Sequence, residues 1–177
     1  MNQPKITVAT AWLDGCSGCH MSFLDMDERL IELAQLVDIV HSPLVDTKTL
    51  PEQVDVGILE GSVSSEEDLH RAQTFRKHCK LLISLGDCAV NGNVPAMRNQ
   101  YKLEAVMDRA YRENVSEHPA IPTVHVPVLL RQVRPVHGCV DVDVFVPGCP
   151  PPADAIWFVL SELIAGRTPA AKSSGCR

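Results

Sequence analysis

The sequence predicts an α/β domain in which helices wind over both faces of an open, mostly parallel sheet. Three observations predict it. Five short apolar runs of strand length are spaced along the chain, and helical segments separate most of them. One run, Leu81-Leu82-Ile83-Ser84-Leu85, is apolar on both faces, as a strand inside a parallel sheet must be.

The first strand is expected at Ile6–Trp12. Residues 21–35 follow as a helix, with Met26, Leu30 and Leu33 continuing to Val37 at spacings of three or four. The second and third strands fall at residues 36–40 and Val54–Glu60. Glu66–His78 is polar and reads as a surface helix, leading to the fourth strand at 81–85. Residues 103–112 form a helix on the pattern Leu103, Val106, Met107, Ala110. Residues 113–138 hold Pro119, Pro122, Pro127 and Pro135 and read as irregular surface. The fifth strand, 140–146, alternates four valines with Asp141 and Asp143, so one of its faces is wetter. A final helix at 153–165 follows a proline run, carries Ile156, Leu160, Leu163 and Ile164 on one side, and stops at Gly166 with Pro169 beyond. The expected fold is a doubly wound, flavodoxin-like parallel sheet of about five strands with helices on both faces, its strand order taken by analogy. One domain is expected over 1–177, with its core at about 6–165 and a tail at 166–177.

Composition narrows the function. The 45% hydrophobic and 21% charged residues are those of a folded soluble domain. A net charge of −6 without a run of Lys or Arg argues against nucleic acid and anionic membrane as partners. The N-terminus lacks the pattern of a signal peptide, and no apolar run reaches the roughly 18–20 residues that span a bilayer. The expectation is a cytoplasmic chain without membrane insertion. Seven cysteines are many for that compartment, and an odd number cannot all pair internally. Metal or redox chemistry for some, and burial for the rest, is the consistent reading.

Topology sorts the cysteines. Ligands in an open parallel sheet bind beyond the carboxyl ends of the strands. Cys16 and Cys19 follow strand one, Cys88 follows strand four, and Cys149 follows strand five. The pattern is C-x2-C and then two single, distant cysteines, all brought to one edge. Cys79 and Cys139 instead precede strands four and five. A strand of five to seven residues rises roughly 16–23 Å, too far for either to join the same group. Cys176 lies in the tail.

Four thiolates suit zinc as well as an iron–sulfur cluster. Structural zinc sites use two local C-x2-4-C knuckles, whereas only one pair is local here, and Cys149 precedes proline as at some iron–sulfur sites. The weight of the pattern falls on one 4Fe–4S cluster. Cys16-Ser17-Gly18-Cys19-His20 also matches the c-type haem attachment pattern, and a redox disulfide fits the strand–helix context; both leave Cys88 and Cys149 unexplained. His20 reads as a hydrogen-bonding neighbour of the site or as a plain helix N-terminal residue.

Trp12-Leu13-Asp14-Gly15-Cys16-Ser17-Gly18-Cys19-His20-Met21-Ser22 resembles the first cluster motif of nickel–iron hydrogenase small subunits. Leu59-Glu60-Gly61-Ser62, Gly86-Asp87-Cys88-Ala89 and Val146-Pro147-Gly148-Cys149-Pro150-Pro151 match that family's later motifs in order. The stretch from Gly86-Asp87-Cys88 through Gly92-Asn93-Val94-Pro95 to Arg98-Asn99 looks most like the soluble, NAD-reducing (bidirectional) type. The resemblance implies an electron-transfer subunit whose Cys16, Cys19, Cys88 and Cys149 hold the proximal 4Fe–4S cluster. It implies two partners: a large subunit holding the nickel–iron site where dihydrogen is split, and a diaphorase module with flavin and iron–sulfur groups that reduces NAD. The chain alone would not be catalytic. Lack of a twin-arginine signal and of a further cluster-bearing domain agrees with the cytoplasmic, one-cluster type.

Neighbouring families resemble it less. The quinone-side cluster subunit of respiratory complex I has adjacent cysteines at the first site, where Cys16 and Cys19 are separated by two residues. Small subunits of F420-type cytosolic hydrogenases usually carry extra ferredoxin-type cysteines. Glu60, at the end of strand three, is expected near the cluster or the large-subunit interface, or else as a plain strand-end carboxylate. Residues 126–136, with Arg131 and Arg134, are a candidate docking surface or a solvated loop. FMN is a further cofactor candidate by analogy of fold alone. A zinc-binding flavodoxin-like module without catalytic partners is the alternative of a different class.

Overall fold

The computed structural model describes residues 5–167 and Pro169, so Cys176 and most of the expected tail lie outside the described residues. Strand β1 (Ile6–Trp12) pairs on one side with β2 (Val37–His41) and on the other with β3 (Val54–Glu60). Beyond β3 come β5 (Cys79–Leu85) and β7 (Val144–Val146), so the sheet order is β2-β1-β3-β5-β7 with every pairing parallel. This is the doubly wound, flavodoxin-like order that the sequence leads one to expect.

Alternation along the strands builds two cores. Val8, Ile58 and Ile83 face one way, against Phe23 of α1 (Gly18–Leu24), Leu33 of α2 (Arg29–Leu36), and Ile156 and Leu160 of α6 (Ala153–Ile164). Their neighbours Ala9, Leu59 and Leu82 face the other way, against Ala72 and Phe75 of α3 (Glu66–His78) and Ala89 of α4 (Gly86–Asn91). Each fully buried Leu, Ile, Val or Phe side chain contributes about 1.5–3 kcal/mol of transfer free energy. Helix α3 is the most polar of these elements and is stabilised at its ends. Ser65 and Asp68 form a capping box, acidic residues fill the first turn, and Arg76, Lys77 and His78 fill the last.

Five expectations change. The helix read at 21–35 is two helices, α1 and α2. Asp27, in the acidic run Asp25-Met26-Asp27-Glu28, takes a left-handed backbone (φ 50°), while Met26 stays buried. Strand two begins at Val37 because Leu36 completes α2. The fifth strand shrinks from 140–146 to Val144–Val146. Asp143 accepts the Leu82 N–H at 2.7 Å and pairs with Arg76 at 2.6 Å, so a side chain takes over from the ladder. Val140 and Val142 turn instead to the α3 face.

Residues 113–138 are only partly irregular. β4 (Val63–Ser65) and β6 (Leu129–Arg134) form a small antiparallel sheet, followed by a 3-10 turn at Val136–Gly138. Pro127 and Pro135 flank β6 rather than interrupt it. Asn99 holds its backbone at both Val133 groups (2.8 and 2.9 Å), and Arg98 donates to the Leu130 carbonyl at 2.9 Å. Val133 and Val136 are buried, so the candidate docking segment is in part structural. The helix read at 103–112 is α5 (Leu103–Asp108) continued by a π-helical turn at Arg109–Glu113, and none of these residues is buried. Among the described residues no helix is long and apolar enough to cross a membrane.

At the amino edge, Asp55 joins three strands. Its carboxylate accepts from the Thr7 backbone N–H, the Thr7 hydroxyl and the Lys80 ammonium, at 2.9, 2.9 and 2.7 Å. The Lys80 hydrogen bond, followed by the Thr7 backbone, holds its carboxyl below the usual carboxylate range. A depressed folded value means stability that is present above the unfolded value and lost as pH falls through the folded one. Asp55→Asn is therefore expected to lower stability at pH 7 by about 1 kcal/mol, given its partial exposure. Urea unfolding at several pH values should show wild type and variant converging in acid.

Candidate metal centre

The loops leaving the carboxyl ends of β1, β5 and β7 carry all four candidate ligands, and β3 ends among them at Glu60. Cys16 lies between β1 and α1, Cys19 in the first turn of α1, Cys88 in α4, and Cys149 between β7 and α6. The structure brings them together. The Asn93 amide reaches both Cys149 Sγ and Cys88 Sγ, at 3.3 and 3.9 Å, and Gly86 of the Cys88 loop lies against the Cys19 sulfur. Burial pushes the Cys19 thiol up to about 12, helped by the Glu60 carboxylate and then by the Cys88, Cys16 and Cys149 thiols. Burial also raises Cys88, which an Asn93 hydrogen bond eases and Cys149, Cys16 and Asp14 reinforce. Cys19 is buried at the floor of the site, Cys88 is half-buried, and Cys16 and Cys149 are exposed at its rim.

Polar stitches hold the loops in register. The Asp14 and Ser62 backbones exchange hydrogen bonds at 3.0 and 2.7 Å, tying the Cys16 loop to the end of β3. Gly61 makes that approach possible. Its φ is +90°, and a Cβ there would lie 2.8 Å from the Leu13 carbonyl carbon. Asp87 donates its N–H to the Gly148 carbonyl at 2.8 Å and accepts the Gly148 N–H on its carboxylate at 2.7 Å, tying the Cys88 loop to the Cys149 loop. The Ser22 hydroxyl donates to the Pro151 carbonyl at 2.5 Å and so joins α1 to the same loop.

Glu60 and His20 meet beneath the cysteines. Glu60 is 3% exposed and accepts the backbone N–H groups of Cys19 and His20 at 3.3 and 2.8 Å. Its carboxylate also pairs with His20 Nδ1, while His20 Nε2 lies 2.9 Å from the Thr10 hydroxyl. Glu60 is thus a buried acceptor that fixes the start of α1, and His20 is its partner in the core.

Cys79 and Cys139 stay apart from the four. Cys79 is buried at the amino end of β5 opposite Val54, and burial pushes its thiol up to about 11 against the pull of Arg76. Cys139, expected like Cys79 at the amino edge, is half-buried beside Leu69, Leu130 and Arg134. Among the described residues, no three His, Cys, Asp or Glu side chains stand close enough to share a single metal ion. The donor set fits a larger thiolate-bound group: four sulfurs converge on one edge, two of them open to one side. Sequence reasoning missed Asn93, whose amide donates to Cys149 Sγ at 3.3 Å and lies 3.9 Å from Cys88 Sγ. Its signal is the Gly92-Asn93 pair, a turn in which Asn tolerates positive φ.

The chain belongs to the family described as the 20 kDa subunit of NADH ubiquinone oxidoreductase, whose model matches residues 16–163 and so takes in all four cysteines. The more particular resemblance, to small subunits of soluble NAD-reducing nickel–iron hydrogenases, is borne out. The chain is 46% identical to the delta subunit of the NAD-reducing hydrogenase HoxS of Cupriavidus necator, over 92% of this chain and 80% of that one. It superposes on a chain of an NAD+-reducing [NiFe]-hydrogenase in the H2-reduced state with a TM-score of 0.92 at 40% identity, covering 98% of this chain and 99% of that one. It is 39% identical to a subunit of the F420-non-reducing hydrogenase of Methanothermobacter marburgensis, where 92% of this chain spans 54% of the relative.

Gly86 leaves no room for a side chain beside Cys19. Its φ is +82°, and a Cβ there would lie 2.2 Å from Cys19 Sγ. Gly86→Ala combines backbone strain with overpacking and is expected to destabilise by about 2–5 kcal/mol. Denaturant unfolding measures this, and the Cys19 thiol should become more reactive to alkylation in the folded variant.

Proposed function

We propose that Cys16, Cys19, Cys88 and Cys149 hold one 4Fe–4S cluster, and that the chain is the electron-transfer small subunit of a cytoplasmic NAD-reducing nickel–iron hydrogenase. The observation that carries this reading is the convergence of four thiols from three separate strand ends onto one open edge. The names of the relatives supply the reaction class, hydrogen oxidation coupled to NAD reduction. The bound cluster would supply one-electron transfer between the nickel–iron site of a large subunit and a diaphorase module that reduces NAD. This chain's residues do the positioning. Glu60 fixes the backbone of Cys19, Asp87 sets Cys88 against Cys149, and Gly86 leaves room for the Cys19 sulfur. The buried floor keeps water from one side, and the exposed rim at Cys16 and Cys149 is where the large subunit would close the other.

Replacing any of the four cysteines by Ala should remove or damage the cluster, whereas Cys79→Ala and Cys139→Ala should retain it. Iron and sulfide analysis of the purified complex checks this, and full iron in Cys149→Ala with loss in Cys139→Ala would overturn the assignment. Cys88→Ser tests the relay, because a serine oxygen can hold iron while changing its potential. Hydrogen-driven NAD reduction should fall while NADH oxidation by artificial dyes continues in the same intact preparation. If both fall together with every subunit and the nickel present, the cluster does not lie between the two catalytic sites.

A further inference from the structure

Asn93 occupies a position that its own fold would not require. It follows the end of α4 in a left-handed backbone (φ 34°), fixed from both sides: its N–H donates to the Asn91 side-chain oxygen at 2.9 Å, and its carbonyl accepts from the Ala96 N–H at 3.2 Å. The turn therefore holds without the Asn93 side chain. That side chain projects into the cysteine site, with Nδ2 3.3 Å from Cys149 Sγ and 3.9 Å from Cys88 Sγ. The two sulfurs here are thiols standing in for the thiolates that would ligate iron. A thiolate is acceptor-only, so the amide must present its N–H2 to them. None of the other side chains described around the four sulfurs donates to any of them.

We propose that Asn93 is a positioning residue that sets the reduction potential of the cluster by donating to the Cys149 thiolate, with the Cys88 thiolate as a weaker second acceptor. This rests on the 4Fe–4S reading of the four cysteines. Adding an electron to a thiolate-bound cluster increases the negative charge on its sulfurs. A fixed donor therefore stabilises the reduced form more than the oxidised one and raises the potential. Hydrogen bonds to cluster sulfurs are among the established determinants of such potentials. The location matters for electron flow, because Cys149 is at the exposed rim, where water or a partner would otherwise be the neighbour. Asn93 supplies a donor that does not depend on either.

The test uses the whole complex with the wild-type chain, Asn93→Gly and Asn93→Asp. Glycine suits the left-handed backbone and removes only the donor; aspartate keeps the shape and offers lone pairs in its place. The readout is the EPR signal of the reduced cluster at a series of poised potentials, with iron content measured on the same samples. At a fixed potential near the wild-type midpoint, the ratio of reduced to oxidised cluster should fall several-fold in Asn93→Gly and further in Asn93→Asp; a tenfold fall corresponds to a midpoint lowered by about 59 mV. A wild-type complex with no 4Fe–4S signal from this subunit would overturn the cluster reading and this inference together. With the cluster present in wild type, a variant that keeps its iron and titrates at the wild-type potential overturns the role of Asn93 alone. Loss of iron from both variants in an intact complex also overturns it, since Asn93 would then hold the site rather than tune it.

Discussion

A carboxylate with almost no access to water has to be satisfied from within the protein, and Glu60 is satisfied by the segment that carries the first two cysteines. An ionised group left unpaired at that depth would cost several kcal/mol. The start of α1 is therefore not free to drift, because moving it would strip the carboxylate of two backbone N–H groups and its histidine partner. Cys19 lies between these bonds, so its sulfur is fixed by an interaction that does not involve the sulfur. The stitches at Asp14–Ser62, Asp87–Gly148 and Ser22–Pro151 extend the same logic to the other loops. Each loop is held by its neighbour's polar groups, which fixes the sulfurs from the surrounding backbone.

Strand order explains why these particular loops meet. In the order β2-β1-β3-β5-β7, the switch in chain direction across the sheet falls between β1 and β3, where doubly wound domains open a crevice. Trp12 and Glu60, the last residues of β1 and β3, are paired in register, and Leu85 and Val146 end β5 and β7 at the same level. The four thiols are thus consequences of one alignment, although they are distant in sequence.

The parts of this arrangement that were legible in the sequence are those that depend on local pattern. The five strands of the main sheet were readable from apolar runs, helix α3 from its polar composition, and the four cysteines from their places after strand ends. What was not legible depends on side chains reaching distant backbone. Asp143 shortens the last strand by bonding to Leu82, and Asn99 turns a proline-bearing stretch into strand β6 by bonding to Val133. Asn93 lies far in sequence from Cys149, and no periodicity connects them. The split between α1 and α2 is an intermediate case: the acidic run 25–28 is a weak helix sequence, but the apolar spacing across it hides the break.

The depth gradient among the four cysteines gives the site a direction. The sheet and the α1 face close off the Cys19 side, while Cys16 and Cys149 face outward. On the proposed function, a cluster would reach these sulfurs from the rim, without the sheet having to open. The same direction would then set an order of assembly. A subunit covering the rim would also seal that approach, so loading would have to precede docking.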